Sequence, residues 1–429
     1  MGKSVKRLLA VILAAVLAYG GVAALGGVPA AAADIPAGYS AISTPQELSD
    51  IRNNLSGKYI LTADIDLADW GDWEPIGYGY SYFSGIFDGD GYVVTNLTIS
   101  IDNAAIGDVG LFGYVQNGVL RNINLLNGSV MVSADYPISV GGIVGCAVAS
   151  TISNCANRNT SIDALSTSAT SLSYVGGVVG EARGEETNIT QCFNAGSVAS
   201  SYVVGGHTGG VAGYAVGLSM SDCYNIGAVS SSPSVSNTRL GGIGGLISDV
   251  VLTNCYNTGS VNGTGIIGGI AGGAIGDSRA SASNCYSLDT TADEVFGGAN
   301  IRVTNVICLD DTHMRQQASF VGFDFDEVWD IASDKNEGYP FLRGMTVPEG
   351  STGGEIDGDK LDVDHWNFGN FRTPITEDYY RGVFGEKMEL KFLLMAQKEQ
   401  KDIVLGWQPR QPQFLQISQQ SKHLPQTVS

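Results

Sequence analysis

Three features of the sequence predict an all-β protein in which short strands stack on one another as a solenoid. Glycine is abundant, with 58 residues among 429, and each glycine costs a helix about 1 kcal/mol relative to alanine. A glycine-flanked block recurs six times, at steps of 27 to 35 residues. One cysteine follows each of the last five blocks. A parallel β-helix explains both the period and the repeated cysteine, because equivalent residues of successive coils lie over one another.

Composition and charge exclude two classes of protein. Hydrophobic residues make up 44% of the chain, which is enough to bury a core and argues against a disordered chain. Lys and Arg total 23 against 43 Asp and Glu, a net charge of -20. A nucleic-acid binder needs cations that face phosphates, so no nucleic-acid partner is expected.

The first 33 residues have the order of a secretory signal peptide. Lys3, Lys6 and Arg7 precede an apolar run that gives way to small residues ending at Ala33. An uncleaved membrane anchor is the alternative. Later stretches fall short of the roughly 18 apolar residues that a membrane span needs, so no transmembrane span is expected after cleavage. The predicted location is secreted or cell-surface.

Residues 34–105 are predicted to form an N-terminal cap and the first coils. Thr44 and Glu47 have the spacing of a capping box, with Pro45 at the first helical position. Leu48, Ile51 and Leu55 then give a short helix one apolar face. We expect this helix to cover the first coil, whose open edge would otherwise invite another strand.

Residues 106–310 contain the repeats. Each unit has three short apolar blocks separated by Gly, Asn and Ser, which predicts three strands and three turns. The crossover rule favours a right-handed coil. The blocks that define the alignment begin at Gly110, Gly142, Gly177, Gly210, Gly242 and Gly269.

Two polar columns are predicted to run along the solenoid. The cysteines are expected to form an internal ladder of small buried side chains, and asparagines two residues later a ladder of stacked amides. Disulfides between coils are the alternative, although a Cβ separation near 4.8 Å exceeds the roughly 3.5–4.5 Å that a disulfide needs. The predicted ladder residues are Cys155, Cys192, Cys223, Cys255, Cys285, Asn157, Asn194, Asn225 and Asn257.

These units resemble the GLUG repeat of bacterial surface proteins. The resemblance lies in residues 142–145, 152–155 and 252–261, in the lead-in at 61–91 and in the segment 329–342, and it covers roughly residues 41–345. It implies a secreted or surface-displayed parallel β-helix. Such proteins are sometimes attached to adhesive or proteolytic domains, so the resemblance implies no particular activity.

The C-terminal part is expected to differ from the repeats. Residues 311–345 are predicted to cap the solenoid through bulky side chains, although an aromatic sugar platform is an alternative. Residues 346–360 read as a linker, and 361–386 as the start of a second, truncated domain. Residues 387–429 are an atypical Gln-rich tail, either a disordered end or the product of a reading-frame shift near Glu386. The capping side chains are Phe320, Phe323, Phe325, Trp329 and Phe341.

Catalytic signals are weak. None of the four histidines has the His-Glu-x-x-His spacing of zinc proteases, and no Cys-x-x-Cys pair is present, so no metal or cofactor is predicted. His207 follows two glycines and is expected to be a solvated turn residue. The best acidic cluster consists of Asp64, Asp66, Asp88 and Asp90. It is interpreted either as the carboxylate site of a carbohydrate-active enzyme or as a set of ordinary turn residues.

The expected function is therefore structural. A polar, weakly charged and elongated surface suits a display, adhesive or binding module without catalysis of its own, with an extracellular protein or a glycan as its ligand. The alternatives are a polysaccharide lyase or glycosidase, and a truncated fragment of a larger surface enzyme.

Overall fold

The protein is described from a computed structural model that covers residues 35–102, 107–232, 237–277 and 280–345. The predicted signal peptide, linker, second domain and tail (residues 1–33, 346–360, 361–386 and 387–429) lie outside the described residues.

Short strands dominate the described chain. The N-terminal coils contain β1 (Ser40–Ile42), β2 (Lys58–Leu61), β3 (Ile65–Asp66), β4 (Ile86–Asp88), β5 (Val93–Thr95), β6 (Thr98–Asp102), β7 (Asp108–Val109), β8 (Phe112–Gln116) and β9 (Val119–Arg121). The next two coils contain β10 (Asn124–Leu126), β11 (Ser129–Ala134), β12 (Ser139–Gly141), β13 (Val144–Val148), β14 (Thr151–Ser153), β15 (Ala156–Asn157), β16 (Ser161–Ser166), β17 (Ser173–Gly176), β18 (Val179–Arg183) and β19 (Asn188–Thr190).

The later coils repeat the same order of strands. They contain β20 (Phe193–Asn194), β21 (Val198–Tyr202), β22 (Gly206–Gly209), β23 (Ala212–Val216), β24 (Ser219–Ser221), β25 (Tyr224–Asn225), β26 (Val229–Ser231), β27 (Arg239–Gly241), β28 (Gly244–Ser248), β29 (Val251–Thr253) and β30 (Tyr256–Asn257). The last are β31 (Val261–Gly263), β32 (Ile266–Gly268), β33 (Ala271–Ile275), β34 (Ser281–Leu288), β35 (Ala299–Asn300), β36 (Arg302–Leu309), β37 (Trp329–Asp330) and β38 (Phe341–Leu342).

Helices are few and short among these residues. Helix α1 (Pro45–Asp50) continues into a 3₁₀ turn at Ile51–Asn53, and helix α2 (Asp311–Met314) follows the last coil. Two further 3₁₀ turns span Gln317–Ser319 and Asn336–Gly338.

The strands form four parallel sheets that run along the solenoid. Sheet 1 has 17 strands and takes two from a typical coil, whereas sheet 2 (β6, β11, β16, β21, β26, β31), sheet 3 (β7, β12, β17, β22, β27, β32) and sheet 4 (β8, β13, β18, β23, β28, β33, β35) take one each. The pair β37–β38 is antiparallel. The predicted all-β parallel β-helix is therefore confirmed, with about seven turns.

The register of sheet 4 matches the glycine alignment. Phe112, Val144, Val179, Ala212, Gly244 and Ala271 pair in succession, and each lies two residues after the first glycine of its block. Gly176 at the end of β17 is joined to Val179 at the start of β18 by a corner of two residues, between sheets 3 and 4.

The core lies inside the coils and consists of stacked columns of like side chains. One inward column contains Ile152, Ile189, Met220 and Leu252, which are fully buried and pair in register on sheet 1. Because a parallel solenoid places identical positions over one another, small and medium aliphatic residues fill these columns with little strain.

The N-terminal cap forms as predicted. The Thr44 hydroxyl accepts a hydrogen bond from the Glu47 amide, and the Glu47 carboxylate accepts one from the Ser43 amide. Leu48 and Ile51 are fully buried in the same core as the first strands. The helix thus closes the first coil.

The predicted C-terminal cap lies in a different place. Residues 311–345 pack along the side of the solenoid and cover an outward column of rings on sheet 1, of which the first three are stacked: Phe193, Tyr224, Tyr256 and Tyr286. Trp329 contacts the second and third of these rings at centroid distances of 5.9 and 5.8 Å. The residue after each of the last four repeat cysteines is aromatic, whereas Ala156 follows Cys155. A row of rings on a sheet face needs apolar cover.

Candidate functional site

The five predicted cysteines lie in one inward column of sheet 1. All are fully buried, and each thiol donates to the carbonyl two residues earlier, as from Cys155 to Ser153 at 3.2 Å. All seven cysteines of the chain are free. Burial raises the pKa of Cys155, Cys223 and Cys255 well above the ordinary value, so these thiols stay protonated and unreactive.

The predicted asparagine column is hydrogen-bonded along the axis over three of its four members. The Asn194 amide donates to Asn225, and the Asn225 amide donates to Asn257, both at 2.8 Å. Asn157 differs, because its amide donates to the carbonyls of Thr160 and Gly177. These buried amides hold the turn between sheets 1 and 2.

A further polar column, which was not predicted from the sequence, occupies the turn before each cysteine. Asn154, Asp222, Asn254 and Asn284 have φ between 52° and 54°, the left-handed region that Asn and Asp tolerate best. Their side chains join neighbouring coils: Asn284 donates to Asn254, which donates to Asp222. The signal was present, since an Asn, Gln or Asp precedes every repeat cysteine.

The four candidate aspartates take part in separate hydrogen bonds and ion pairs that stabilise the fold. Asp64 accepts from the Val93 amide, and Asp66 accepts from the Asn96 side chain at 2.7 Å. Asp88 is buried and bridges to Arg121 at 2.7 Å.

Asp90 is exposed at a turn with φ of 47°. Its amide donates to the Asp88 carboxylate, as a turn residue would. In the structure these four residues make hydrogen bonds within turns and between coils.

A different group of side chains gathers on the outside of the corner between sheets 3 and 4. Sheet 3 contributes the register-matched column Asp108, Ser139, Tyr174 and His207. Sheet 4 contributes Tyr114, Cys146, Glu181 and Tyr214, also in register, together with Arg183. We call this set the corner cluster: Asp108, Tyr114, Ser139, Cys146, Tyr174, Glu181, Arg183, His207 and Tyr214.

Two carboxylates of the corner cluster lie in different surroundings. Burial and then the charge of Glu181 raise the pKa of Asp108 to about 6. Glu181 itself accepts from Arg183 at 3.1 Å and from the Ser139 hydroxyl at 3.4 Å. Near pH 6, Asp108 is therefore half protonated beside an ion-paired Glu181.

Three rings of the corner cluster pack against one another. Tyr174 lies 4.9 Å from Tyr214 and 5.6 Å from His207 between ring centroids. His207 is buried within strand β22, so the prediction of a solvated turn residue is wrong. Burial, and then the charge of Arg239, lower the pKa of His207 to about 4, and the ring is neutral at pH 7.

The Nδ1 atom of His207 makes no hydrogen bond of normal geometry, although the Gly206 backbone lies close enough to raise its pKa slightly. Buried ring nitrogens are usually paired, so this atom is an exception on the outer face of the solenoid.

The corner cluster offers hydrogen-bonding and stacking groups, not a metal centre. In the part of the chain that the structure describes, no three His, Cys, Asp or Glu side chains could hold a metal ion together. Sequence reasoning missed the cluster because its members lie about one repeat apart and share no motif. The glycine alignment would have aligned the two columns only if it were extended two or three residues upstream and four residues downstream of each first glycine.

Comparison with known proteins identifies the repeat. The GLUG motif matches residues 136–162, so the resemblance seen in the sequence is confirmed. A protein of Evansella cellulosilytica, provisionally named a Gly-rich membrane protein, is 36% identical over 113 residues, which is 24% of this chain and 13% of that protein. Halomucin of Haloquadratum walsbyi is 40% identical over 105 residues, 22% of this chain and 1% of its own length. The chain thus spans a small part of both relatives.

Two solved structures are similar in shape. One is a Bacteroides ovatus protein provisionally named an immunoglobulin A1 protease, with 22% identity, a TM-score of 0.47, and coverage of 71% of this chain and 92% of that chain. The other is named IgA1 protease, with 16% identity, a TM-score of 0.39, and coverage of 63% and 21%. These similarities bear on none of the residues described above.

Within residues 35–345, apart from three short internal gaps, no helix has the length and apolar character to cross a bilayer.

Proposed function

We propose that this chain is a secreted or cell-surface solenoid that serves as a rigid binding module without catalysis of its own, and that the corner cluster binds a glycan. One observation carries the proposal: the corner cluster brings three rings, two carboxylates and one guanidinium together across neighbouring coils. The repeats as a whole are poor in charge, with six Arg, one of them Arg183 of the cluster, and no Lys over residues 101–308. Aromatic faces and paired polar groups are what sugar rings bind through.

The fold supports this role because it is rigid along its axis. Buried amides and left-handed turns join coil to coil by side-chain hydrogen bonds, in addition to the parallel ladders. A stack held in this way keeps a row of outward groups at a fixed spacing of about 4.8 Å. A repeating ligand can therefore contact several coils at once.

The surface location is supported by the relatives. The two that match are named a membrane protein and a halomucin, and the apolar N-terminus has the order of a signal peptide. The experiment is fractionation of cells that produce the full-length chain, which should place it in the medium or on the outer surface. Retention in the cytoplasm would contradict this part of the proposal.

Binding is tested on a panel of immobilised neutral and acidic polysaccharides. We expect the native protein to bind at least one of them, and the double variant Tyr174→Ala/Tyr214→Ala to bind at least tenfold more weakly. The matched control is Tyr80→Ala, because Tyr80 is an exposed ring outside the cluster. Failure to bind any member of the panel, or equal binding by the double variant, would contradict the proposal.

A polysaccharide lyase or glycosidase is the second candidate function, and one observation favours it. Asp108 and Glu181 are neighbouring carboxylates in different surroundings, since the pKa of Asp108 is raised to about 6 and Glu181 is ion-paired with Arg183. Pairs that act as acid and base also differ in their surroundings. Release of reducing ends or unsaturated sugars from the same panel tests it. Loss of that activity in both Asp108→Asn and Glu181→Gln would establish the enzyme, and absence of any product would leave the binding module.

A further inference from the structure

The last coil of the solenoid is open. Every residue from 292 to 313 is exposed or half-buried, unlike the inward positions of the earlier coils. Val303 continues the inward column of Ile152 and Ala282 but is 45% exposed, whereas those two residues are buried. Val306 continues the cysteine column beyond Cys285 and is only half-buried. The end of the hydrophobic core thus faces outward.

The two ends of the solenoid differ. At the N-terminus, Leu48 and Ile51 of the cap are fully buried, and Ile42 of the edge strand is 3% exposed. At the other end, the segment predicted to be the cap lies along the side instead. Its Trp329 indole donates to Asp222, three coils before the edge strand β36. Among the described residues, no segment covers strand β36 in the way that α1 covers the first coil.

The open edge is suited to receive another strand. Strand β36 has eight residues and pairs with β34 on one side, which leaves its other row of backbone groups without a strand partner in the described chain. Its exposed Val303 and Ile307 add apolar surface next to that row. An exposed apolar edge of this length promotes association unless it is covered.

We propose that residues 361–386 of this chain cover the open C-terminal end of the solenoid. The described chain ends at Met345, which is buried among the apolar side chains that pack along the side of the solenoid. A linker of 15 residues then spans on the order of 20 Å when flexible, and up to about 50 Å when extended. Tethering at this length gives an effective concentration in the millimolar range.

The composition of residues 361–386 fits this occupant. In 26 residues the segment contains six aromatic side chains, a density that the linker before it does not have. The aromatic residues are Trp366, Phe368, Phe371, Tyr379, Tyr380 and Phe384.

Cys308 supplies a built-in reporter. It lies in β36 and is the exposed cysteine, whereas the other six are buried. We measure the rate of its alkylation in the native full-length chain, and in the full-length variant Trp366→Ala/Phe368→Ala/Phe371→Ala. The matched control is Trp407→Ala/Phe414→Ala, which removes aromatics from the tail. Continued protection of the six buried thiols shows that each variant is folded.

We expect slow alkylation of Cys308 in the native chain and in the control, and a rate at least tenfold higher in the triple variant. Equal rates in the native chain and the triple variant would overturn the proposal. Protection that disappears on dilution would also overturn it, since the end would then be covered by a second copy of the chain.

Discussion

The residue before each repeat cysteine determines how sheet 1 bends. Asn154 and Asp222 adopt left-handed backbone conformations there, and Gln191 does so with φ of 52° although Gln is less suited to it. The sequence shows these residues plainly, but a residue type alone does not reveal φ. The prediction therefore identified the cysteine column and the later asparagine column, and overlooked the left-handed turn before each cysteine.

His207 shows the limit of local reasoning. Two preceding glycines indicate a turn, yet the residue lies in a strand, because Thr208 beside it points inward and pairs with Val175 of the coil before. Burial and ring packing are properties of neighbouring coils. The burial and ring packing of His207 can be predicted only when the repeats are aligned residue by residue.

Asp108 and His207 should give opposite pH dependences of stability. The pKa of Asp108 is raised to about 6, so between about pH 4 and 6 the native state binds more protons than the unfolded state, and the free energy of unfolding falls as pH rises. The pKa of His207 is lowered to about 4, so its contribution to the free energy of unfolding rises with pH up to about 6.5. In the native protein the two contributions oppose each other.

We therefore expect Asp108→Asn to stabilise the protein at pH 7 by up to about 3 kcal/mol and to leave it unchanged at pH 4. Chemical unfolding at several pH values measures the difference between variant and native protein. The control Asp102→Asn changes an exposed carboxylate of β6 and should have little effect. A gain that does not grow from pH 4 to pH 7 would contradict the buried, charge-neighboured Asp108 described above.

At the scale of elements, the glycine block and the asparagine column depend on each other. A methyl group on Gly210 would overlap the Asn225 side chain and the Gly242 carbonyl, and Gly177 has the same relation to Asn194. The corner between sheets 3 and 4 therefore approaches the turn after sheet 1 across the interior of one coil. This explains why a glycine block and an asparagine recur together in the repeats.

Gly210→Ala should accordingly destabilise the protein by about 1–3 kcal/mol through overpacking. Gly298→Ala is the matched control, because nothing lies within 4 Å of a methyl group there and the last coil is open. The midpoints of thermal unfolding compare the two variants. Equal midpoints would show that the first glycine of the block is not required by the buried amide.

At the scale of the whole molecule, periodicity was the strongest information in the sequence. It predicted the parallel solenoid, the coil length and the N-terminal cap, because each depends on a pattern that the chain repeats or on local capping chemistry. It did not predict the position of residues 311–345. Bulky side chains after the last repeat show that some surface is covered, but the outward rings after the last four repeat cysteines decide which surface it is.

The central claim is that equivalent residues of successive coils lie over one another around a dry axis. Anomalous diffraction from sulfur in a crystal of the protein locates the cysteines without reference to any model. We expect Cys155, Cys192, Cys223, Cys255 and Cys285 to appear as one row of five sites at a spacing of about 4.8 Å. Sulfur sites scattered over different faces of the molecule, or joined in pairs as disulfides, would contradict the account.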